Sequence, residues 1–97
     1  MYKIIIFGTG LYGKQALQFF TRENVMFWTD NKEDLHGKLI EGIEVIPPSE
    51  LKKYLNECVI VIAAKPEFFN QIKYQLNKEY GIEMALNYTF LKSYIND

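Results

Sequence analysis

The sequence predicts a small α/β domain of three layers, with helices on both faces of a mostly parallel sheet of about five strands. Three observations carry that expectation. Short, uninterrupted apolar runs such as Lys3 to Phe7 (KIIIF) and Cys58 to Ala63 (CVIVIA) lack the alternation of a half-exposed strand. They read instead as strands buried on both faces of a parallel sheet. Segments of helical period lie between them, so strand and helix alternate along the chain. At 97 residues and −1 net charge, from 11 basic and 12 acidic side chains, there is material for one core and no second domain.

The elements follow in order. After KIIIF, Gly8 to Gly13 is a turn, and Gly13, Ala16, Leu17 and Phe20 then line one face of a helix ending near Arg22. Val25 to Thr29 (VMFWT) is a second strand, and Asp30 to Gly37 is a polar loop that includes the single histidine, His36. Lys38 to Ile46 reads as a small hairpin or an extended segment ending in a strand. Pro47-Pro48 stops it and opens a short helix with Leu51, Tyr54 and Leu55 inward. Cys58 to Ala63 is the next buried strand. Pro66 opens a helix with Phe69, Ile72 and Leu76 on one stripe, and Gly81 suits its C-terminal end. Ile82 to Leu86 is expected as the last strand. Asn87 to Ile95 is a short amphipathic tail with Phe90, Leu91, Tyr94 and Ile95 on one side. That face folds back on its own sheet or docks on another subunit; the turn at Asn87 favours the first. Phe68, Tyr88 and Phe90 are the aromatics expected to cover a partner surface.

Composition removes several kinds of chemistry. One cysteine, Cys58, allows no internal disulfide, which suits a reducing cytoplasm, and its place in a buried strand makes it a core residue. One histidine and one cysteine leave no Cys/His zinc site, and no metal is expected. With two serines, a Ser-His-Asp triad would need His36 to meet one by chance. The near-zero net charge argues against nucleic-acid binding. The apolar runs fall far short of the roughly 20 residues that cross a bilayer, so no membrane insertion is expected.

The sharpest local signal is Phe7-Gly8-Thr9-Gly10-Leu11-Tyr12-Gly13, a G-x-G-x-x-G between a predicted strand and a predicted helix. In that setting Gly8 permits the tight turn, Gly10 lets a pyrophosphate approach the backbone, and Gly13 lets the helix lie close on the sheet. The helix N-terminus offers N–H groups and a positive dipole end to the phosphates. The bland alternative is a βα turn in a module without a ligand. A P-loop is excluded because Gln15 stands where Ser or Thr must follow Lys14, and an acid within the first strand, usual in methyltransferases, is missing.

Asp30 lies 22 positions after Gly8, at the end of the second strand, where a carboxylate can accept ribose hydroxyls. It would repel a 2′-phosphate, which favours NAD over NADP, or another nucleoside diphosphate such as a UDP-sugar. Its alternative is a solvated turn residue in Thr29-Asp30-Asn31. Ala63-Ala64-Lys65-Pro66 closes the fourth strand, with small residues to admit a ligand and Lys65 to neutralise phosphate. The expected cofactor-binding set is therefore Gly8, Thr9, Gly10, Leu11, Tyr12, Gly13, Asp30, Asn31, Ala64 and Lys65. No residue is assigned a catalytic role. The spacing of a Tyr-x-x-x-Lys pair occurs only at Tyr74 and Lys78, inside an ordinary amphipathic helix, and is read as coincidence. This is a small Rossmann-like domain.

Taken together, Ile4 to Gly13, Phe27 to Asn31 (FWTDN), Gly37 to Ile46 (GKLIEGIEVI), Val59 to Ala64 and Pro-Pro-Ser-Glu-Leu resemble a known pattern. It is that of the Rossmann-like domains attached to nucleotide-sugar-modifying enzymes of bacterial surface-polysaccharide synthesis. The N-terminal domains of sugar acetyltransferases with a left-handed β-helix, and nucleoside-diphosphate-sugar epimerase/dehydratase-like domains, are the analogues. The resemblance implies a domain that holds a nucleotide-sugar. Acetyl transfer does not carry over, because no β-helix is present and Tyr12 stands where those domains often have a histidine. The expectation is one domain over 1–97, either a whole protein or excised from a larger chain, binding NAD or a UDP-sugar and serving a companion catalytic domain or a homodimer. The alternative is a ligand-free interaction or regulatory domain of the same fold.

Overall fold

Five elements at the heart of the chain lie where the apolar runs and helical periods put them. The computed structural model describes residues 2–95; Met1, Asn96, Asp97 and the side chain of Ile95 lie outside the described residues. Strand β1 (Lys3–Phe7) leads into helix α1 (Leu11–Phe20), then β2 (Val25–Thr29). A hairpin of β3 (Leu39–Ile40) and β4 (Ile43–Ile46) follows, then a 3-10 helix over Pro48–Tyr54 and β5 (Cys58–Ile62). Helix α2 (Pro66–Tyr80), β6 (Leu86–Asn87) and α3 (Tyr88–Ile95) complete it.

Among the described residues the sheet has six strands in the order β3-β4-β2-β1-β5-β6. All neighbours pair parallel except the β3–β4 hairpin. The count exceeds the expected five because the hairpin supplies two strands. Its turn carries positive φ at Glu41 and Gly42, as tight hairpins with right-handed twist require. β1 runs in full register with β5, from Lys3 opposite Cys58 to Phe7 opposite Ile62. Strands buried on both faces need a layer on each side. Ile5, Phe7, Ile60 and Ile62 pack with Leu51 and Leu76 of the 3-10 helix and α2. Ile6, Trp28 and Val61 pack with Ala16, Leu17 and Tyr88 of α1 and α3. Trp28 is wholly buried and donates its indole N–H to the carbonyl of Ile40 at 2.9 Å, which ties the hairpin to β2. Cys58 is a core residue as expected, with Sγ 3.6 Å from Sδ of Met26. Burial pushes its thiol above the usual range, and the Glu57 carboxylate adds to this, so it is a poor nucleophile.

Two expectations need correcting. The expected strand Ile82 to Leu86 pairs only at Leu86 and Asn87, opposite Val61 and Ile62. The reason is its burial pattern: Ile82 and Ala85 enter the core while Glu83 and Met84 both face solvent. Inward residues three apart do not fit the two-residue period of a pleated strand.

The tail does return to its own sheet, but through Tyr88; of the face expected to turn inward, Phe90 and Tyr94 are exposed and Leu91 is half-buried, while the side chain of Ile95 lies outside the described residues. Tyr88, expected to cover a partner, is buried, and its ring meets Phe19 edge-to-face at 5.7 Å. Further along, Nζ of Lys92 donates to Oε1 of Gln15 at 3.3 Å, so α3 runs antiparallel to α1. Phe90 and Tyr94 are instead 63% and 76% exposed and stacked on each other, with centroids 6.2 Å apart. The side-chain oxygen of Asn87 fixes this rotation by accepting the backbone N–H groups of Thr89 and Phe90, at 3.0 and 3.4 Å. Tyr88→Ala is therefore expected to cost about 3–5 kcal/mol, the range for emptying a buried aromatic site. Phe90→Ala should stay within about 0.5 kcal/mol in the same denaturant titration.

Candidate functional site

The C-terminal ends of β1, β2 and β5 meet at one point, and the glycine turn occupies it. The connection from β1 leads through α1 to β2 on one side, and that from β5 leads through α2 to β6 on the other. Adjacent strands whose connections diverge leave a crevice at their carboxyl ends. Gly8 sits there at φ +118°, donating its N–H to the carbonyl of Thr29 at 2.8 Å. A Cβ on Gly8 would stand 2.5 Å from the carbonyl oxygen of Ala63, and one on Gly13 would stand 2.0 Å from the carbonyl oxygen of Gly8. Both positions are closed by the protein's own backbone.

Gly10 is different. A Cβ built there meets nothing within 4 Å, and its φ of −84° is open to any residue. No neighbouring atom requires glycine at this position; its only service to the fold is as the N-cap of α1. Gly10 precedes α1 without a side-chain cap, no acidic residue stands in the first turn, and the first bond of the helix runs from Lys14 N–H to the Gly10 carbonyl at 3.0 Å. The N–H groups of Leu11, Tyr12 and Gly13 precede that bond and sit at the positive end of the helix dipole. Leu11 is exposed and Tyr12 half-buried.

Asp30 is drawn to the turn as its spacing suggested, and much of its carboxylate is engaged there. Oδ2 accepts the N–H and the hydroxyl of Thr9, at 3.0 and 2.9 Å, and Oδ1 accepts the N–H of Lys32 at 3.0 Å. It braces the glycine turn against the end of β2. Three of about four acceptor positions are filled, which leaves room for one further donor. Ala64 is half-buried at the end of β5, and Lys65 is exposed immediately before α2. These two lie on the β5 side of the crevice, with Gly8 to Gly13 and Asp30 on the other.

Asn31 is held elsewhere. Its Nδ2 donates to Oε1 of Gln75 at 2.9 Å, and Nε2 of Gln75 donates back to its Oδ1 at 2.7 Å. This reciprocal amide pair clasps the loop after β2 to α2. Beside it opens a cleft of about 640 Å³, walled by Asn31, Glu33 and His36, by Pro47, Pro48 and Ser49, and by Gln75, Glu79 and Tyr80. The sequence reading missed this cleft apart from Asn31. Its walls come from three distant segments, and no sequence pattern brings them together. His36 is a loop residue as expected, with Nε2 2.7 Å from the carbonyl oxygen of Asp30. The Tyr80 hydroxyl is pushed above the usual phenol range, first by burial and then by the Glu79 carboxylate. Among the described residues no three His, Cys, Asp or Glu side chains cluster as metal ligands. None of their helices is long and apolar enough to cross a membrane.

A mostly parallel sheet with α1 and α3 on one face and α2 on the other, a glycine-rich turn after β1 and an acid after β2 define a Rossmann-like α/β domain. The chain belongs to the family described as C2185-like, N-terminal, whose sequence model matches residues 1–85. It is similar in structure to UDP-D-quinovosamine 4-dehydrogenase from Vibrio fischeri, with a TM-score of 0.66 and 17% identity. That match covers 89% of this chain and 75% of the dehydrogenase chain. It is also similar to the structure of RSP in complex with beta-NAD+ and operator DNA, with a TM-score of 0.62 and 20% identity over 89% of this chain and 42% of the other. A separate structure of RSP, a Rex-family repressor, matches with a TM-score of 0.61 and 17% identity over 96% of this chain and 57% of that one. At these identities the likeness is one of fold. A search of curated proteins found no match.

Proposed function

We propose that this chain is a nucleotide-binding module. It holds the diphosphate of NAD or of a UDP-sugar on the turn from Gly8 to Gly13, for a companion catalytic domain or protein. The observation that carries the reading is the empty space at Gly10, where no neighbouring atom excludes a side chain, placed directly before a helix N-terminus with free N–H groups. A phosphate is the object for which such a space is suited, because it needs close backbone approach and a positive dipole end. In this reading Leu11, Tyr12 and Gly13 donate to the phosphates. Asp30 offers its remaining acceptor position to a ribose hydroxyl, and Ala64 and Lys65 flank the ligand from β5. Thr9 acts through Asp30, positioning the turn.

Two of the structurally similar proteins support the ligand class: one is a UDP-sugar dehydrogenase, and RSP is seen with beta-NAD+ and, separately, with beta-NADH. The operator DNA in one RSP structure is left out of this reading, since a net charge of −1 gives the chain no overall attraction for a duplex. The resemblance to domains of surface-polysaccharide enzymes suggests sugar-nucleotide chemistry in the partner and a cytoplasmic setting.

Amide chemical-shift mapping with NAD, UDP-glucose and ATP tests the reading. The expected result is that NAD or UDP-glucose shifts Gly8 to Gly13 and Asp30 at sub-millimolar concentration. Shifts confined to the opposite edge of the sheet, or none at millimolar ligand, would overturn it. The exposed Phe90–Tyr94 stack would then favour a ligand-free interaction domain.

A further inference from the structure

We propose that the open edge of β5 receives an extended segment of a partner protein, which adds a strand beside Cys58, Val59 and Ile60. The segment is apolar and carries a basic residue. This site lies at the N-terminal half of β5, whereas the glycine turn lies at the C-terminal ends of the strands. It does not depend on nucleotide binding.

The edge is open because of how the chain leaves α2. Lys3 donates its N–H to the carbonyl of Glu57, and Ala63 donates to that of Phe7, both at 2.9 Å. In a parallel ladder the N–H and C=O of successive residues point to alternate sides. The odd-numbered residues of β5 therefore serve β1, and the main chain of Cys58, Ile60 and Ile62 points the other way. β6 covers only the C-terminal part of that side, with Leu86 opposite Val61 and Asn87 opposite Ile62. Among the described residues the N–H and C=O of Cys58 and the N–H of Ile60 have no hydrogen-bond partner. Beside them opens a cleft of about 380 Å³, with apolar walls from Tyr2, Leu55, Ile82 and Met84. Tyr2 and Met84 are 60% and 75% exposed.

A donor, an acceptor and a donor in fixed order along one strand match the main chain of another strand. One partner residue opposite Val59 would donate to the Cys58 carbonyl and accept from the Ile60 N–H. The residue two before it would accept from the Cys58 N–H. This continues, on the same edge and in the same direction, the ladder that β6 already forms with β5. The charges decide the sign of the segment. Glu83 is the one charged residue lining the cleft and forms no ion pair among the described residues. Glu57 is exposed directly before the edge. Nζ of Lys3 is engaged by the carbonyl of Glu23 at 2.8 Å, and Lys52 reaches only the rim, 3.5 Å from a Cβ built on Gly81. The Tyr2 hydroxyl and the main chain of Glu83 and Met84 donate and accept without favouring either sign.

Amide exchange and shift titration on the full chain test the proposal. Without peptide, the amides of Cys58 and Ile60 should exchange about tenfold faster than those of Val59 and Val61, which are bonded to β1. The probe is the peptide Ac-Val-Lys-Val-Lys-Val-NH2. At millimolar concentration it should shift residues 58–60 and 82–84, slow exchange at Cys58 and Ile60, and leave Gly8 to Gly13 unshifted. The same peptide N-methylated at every residue should bind about tenfold more weakly, because the Cys58 carbonyl then lacks its donor. Glu83→Lys should weaken the unmethylated peptide about fivefold, the upper range for an exposed ion pair. Its thermal midpoint should not change, since Glu83 is exposed and makes no side-chain bond among the described residues. No shift at residues 58–60, or equal binding of the methylated peptide, would overturn strand addition. Undiminished binding to Glu83→Lys would overturn the basic character of the partner. Protection at Cys58 and Ile60 that rises with protein concentration alone would give the edge to a second copy of this chain, and overturn the proposal as well.

Discussion

Gly13→Ala is expected to destabilise the domain by about 3 kcal/mol, against the ordinary effect of that substitution in a helix. Alanine in place of glycine within a helix normally gains about 1 kcal/mol, because it restricts the unfolded chain. Here the added methyl would lie 2.0 Å from the carbonyl oxygen of Gly8, 2.8 Å from its carbon and 3.3 Å from Cζ3 of Trp28. The first two neighbours are backbone of the turn and cannot rotate away. The third belongs to a wholly buried ring fixed by its bond to Ile40. Relief requires α1 to lift from the sheet, which would open the contacts of Ala16 and Leu17. The steric term outweighs the helix gain. For a domain of this size a thermal midpoint lower by about 12 °C or more is the expected readout.

Gly10→Val, three positions earlier, should do the reverse. Its Cβ has no neighbour within 4 Å and its φ is ordinary, so the loss in stability should not exceed about 1 kcal/mol, the worth of a poorer N-cap. Nucleotide affinity should fall about a hundredfold, because the branched side chain fills the space of the phosphate and removes about two charged hydrogen bonds. One motif thus contains glycines of two kinds. The spacing G-x-G-x-x-G does not distinguish them; the surroundings of each Cβ do.

What could be read from the sequence follows from which forces are local. β1, β2 and β5 were legible because burial on both faces demands unbroken apolar runs, and KIIIF, VMFWT and CVIVIA supply them. α2 was legible because Pro66 and Gly81 mark its ends and Phe69, Ile72 and Leu76 repeat at helical spacing. The approach of Asp30 to the glycine turn was legible as a spacing, though its bonds to Thr9 were not. Elsewhere local pattern and tertiary outcome parted. Ile82 to Leu86 has a strand-like composition, yet its inward residues are three apart, and only a packed core reveals that. The tail has two candidate apolar faces, and the cap from Asn87 decides between them by placing Tyr88 inward. The Asn31–Gln75 clasp joins residues 44 positions apart. Neither belongs to a periodic pattern, so nothing short of the fold brings them together. The cleft they border was illegible for the same reason.

The central claim is that Gly10 is glycine for a ligand and not for the fold. The most direct measurement follows the amides of Leu11, Tyr12 and Gly13 during titration with NAD, UDP-glucose and ADP, in the native chain and in Gly10→Val, alongside the thermal midpoint of each. The account predicts saturating shifts at these amides in the native chain with at least one of these nucleotides, their disappearance in Gly10→Val, and midpoints within a few degrees of each other. A Gly10→Val chain that binds nucleotide as the native one does, or that fails to fold, would contradict it.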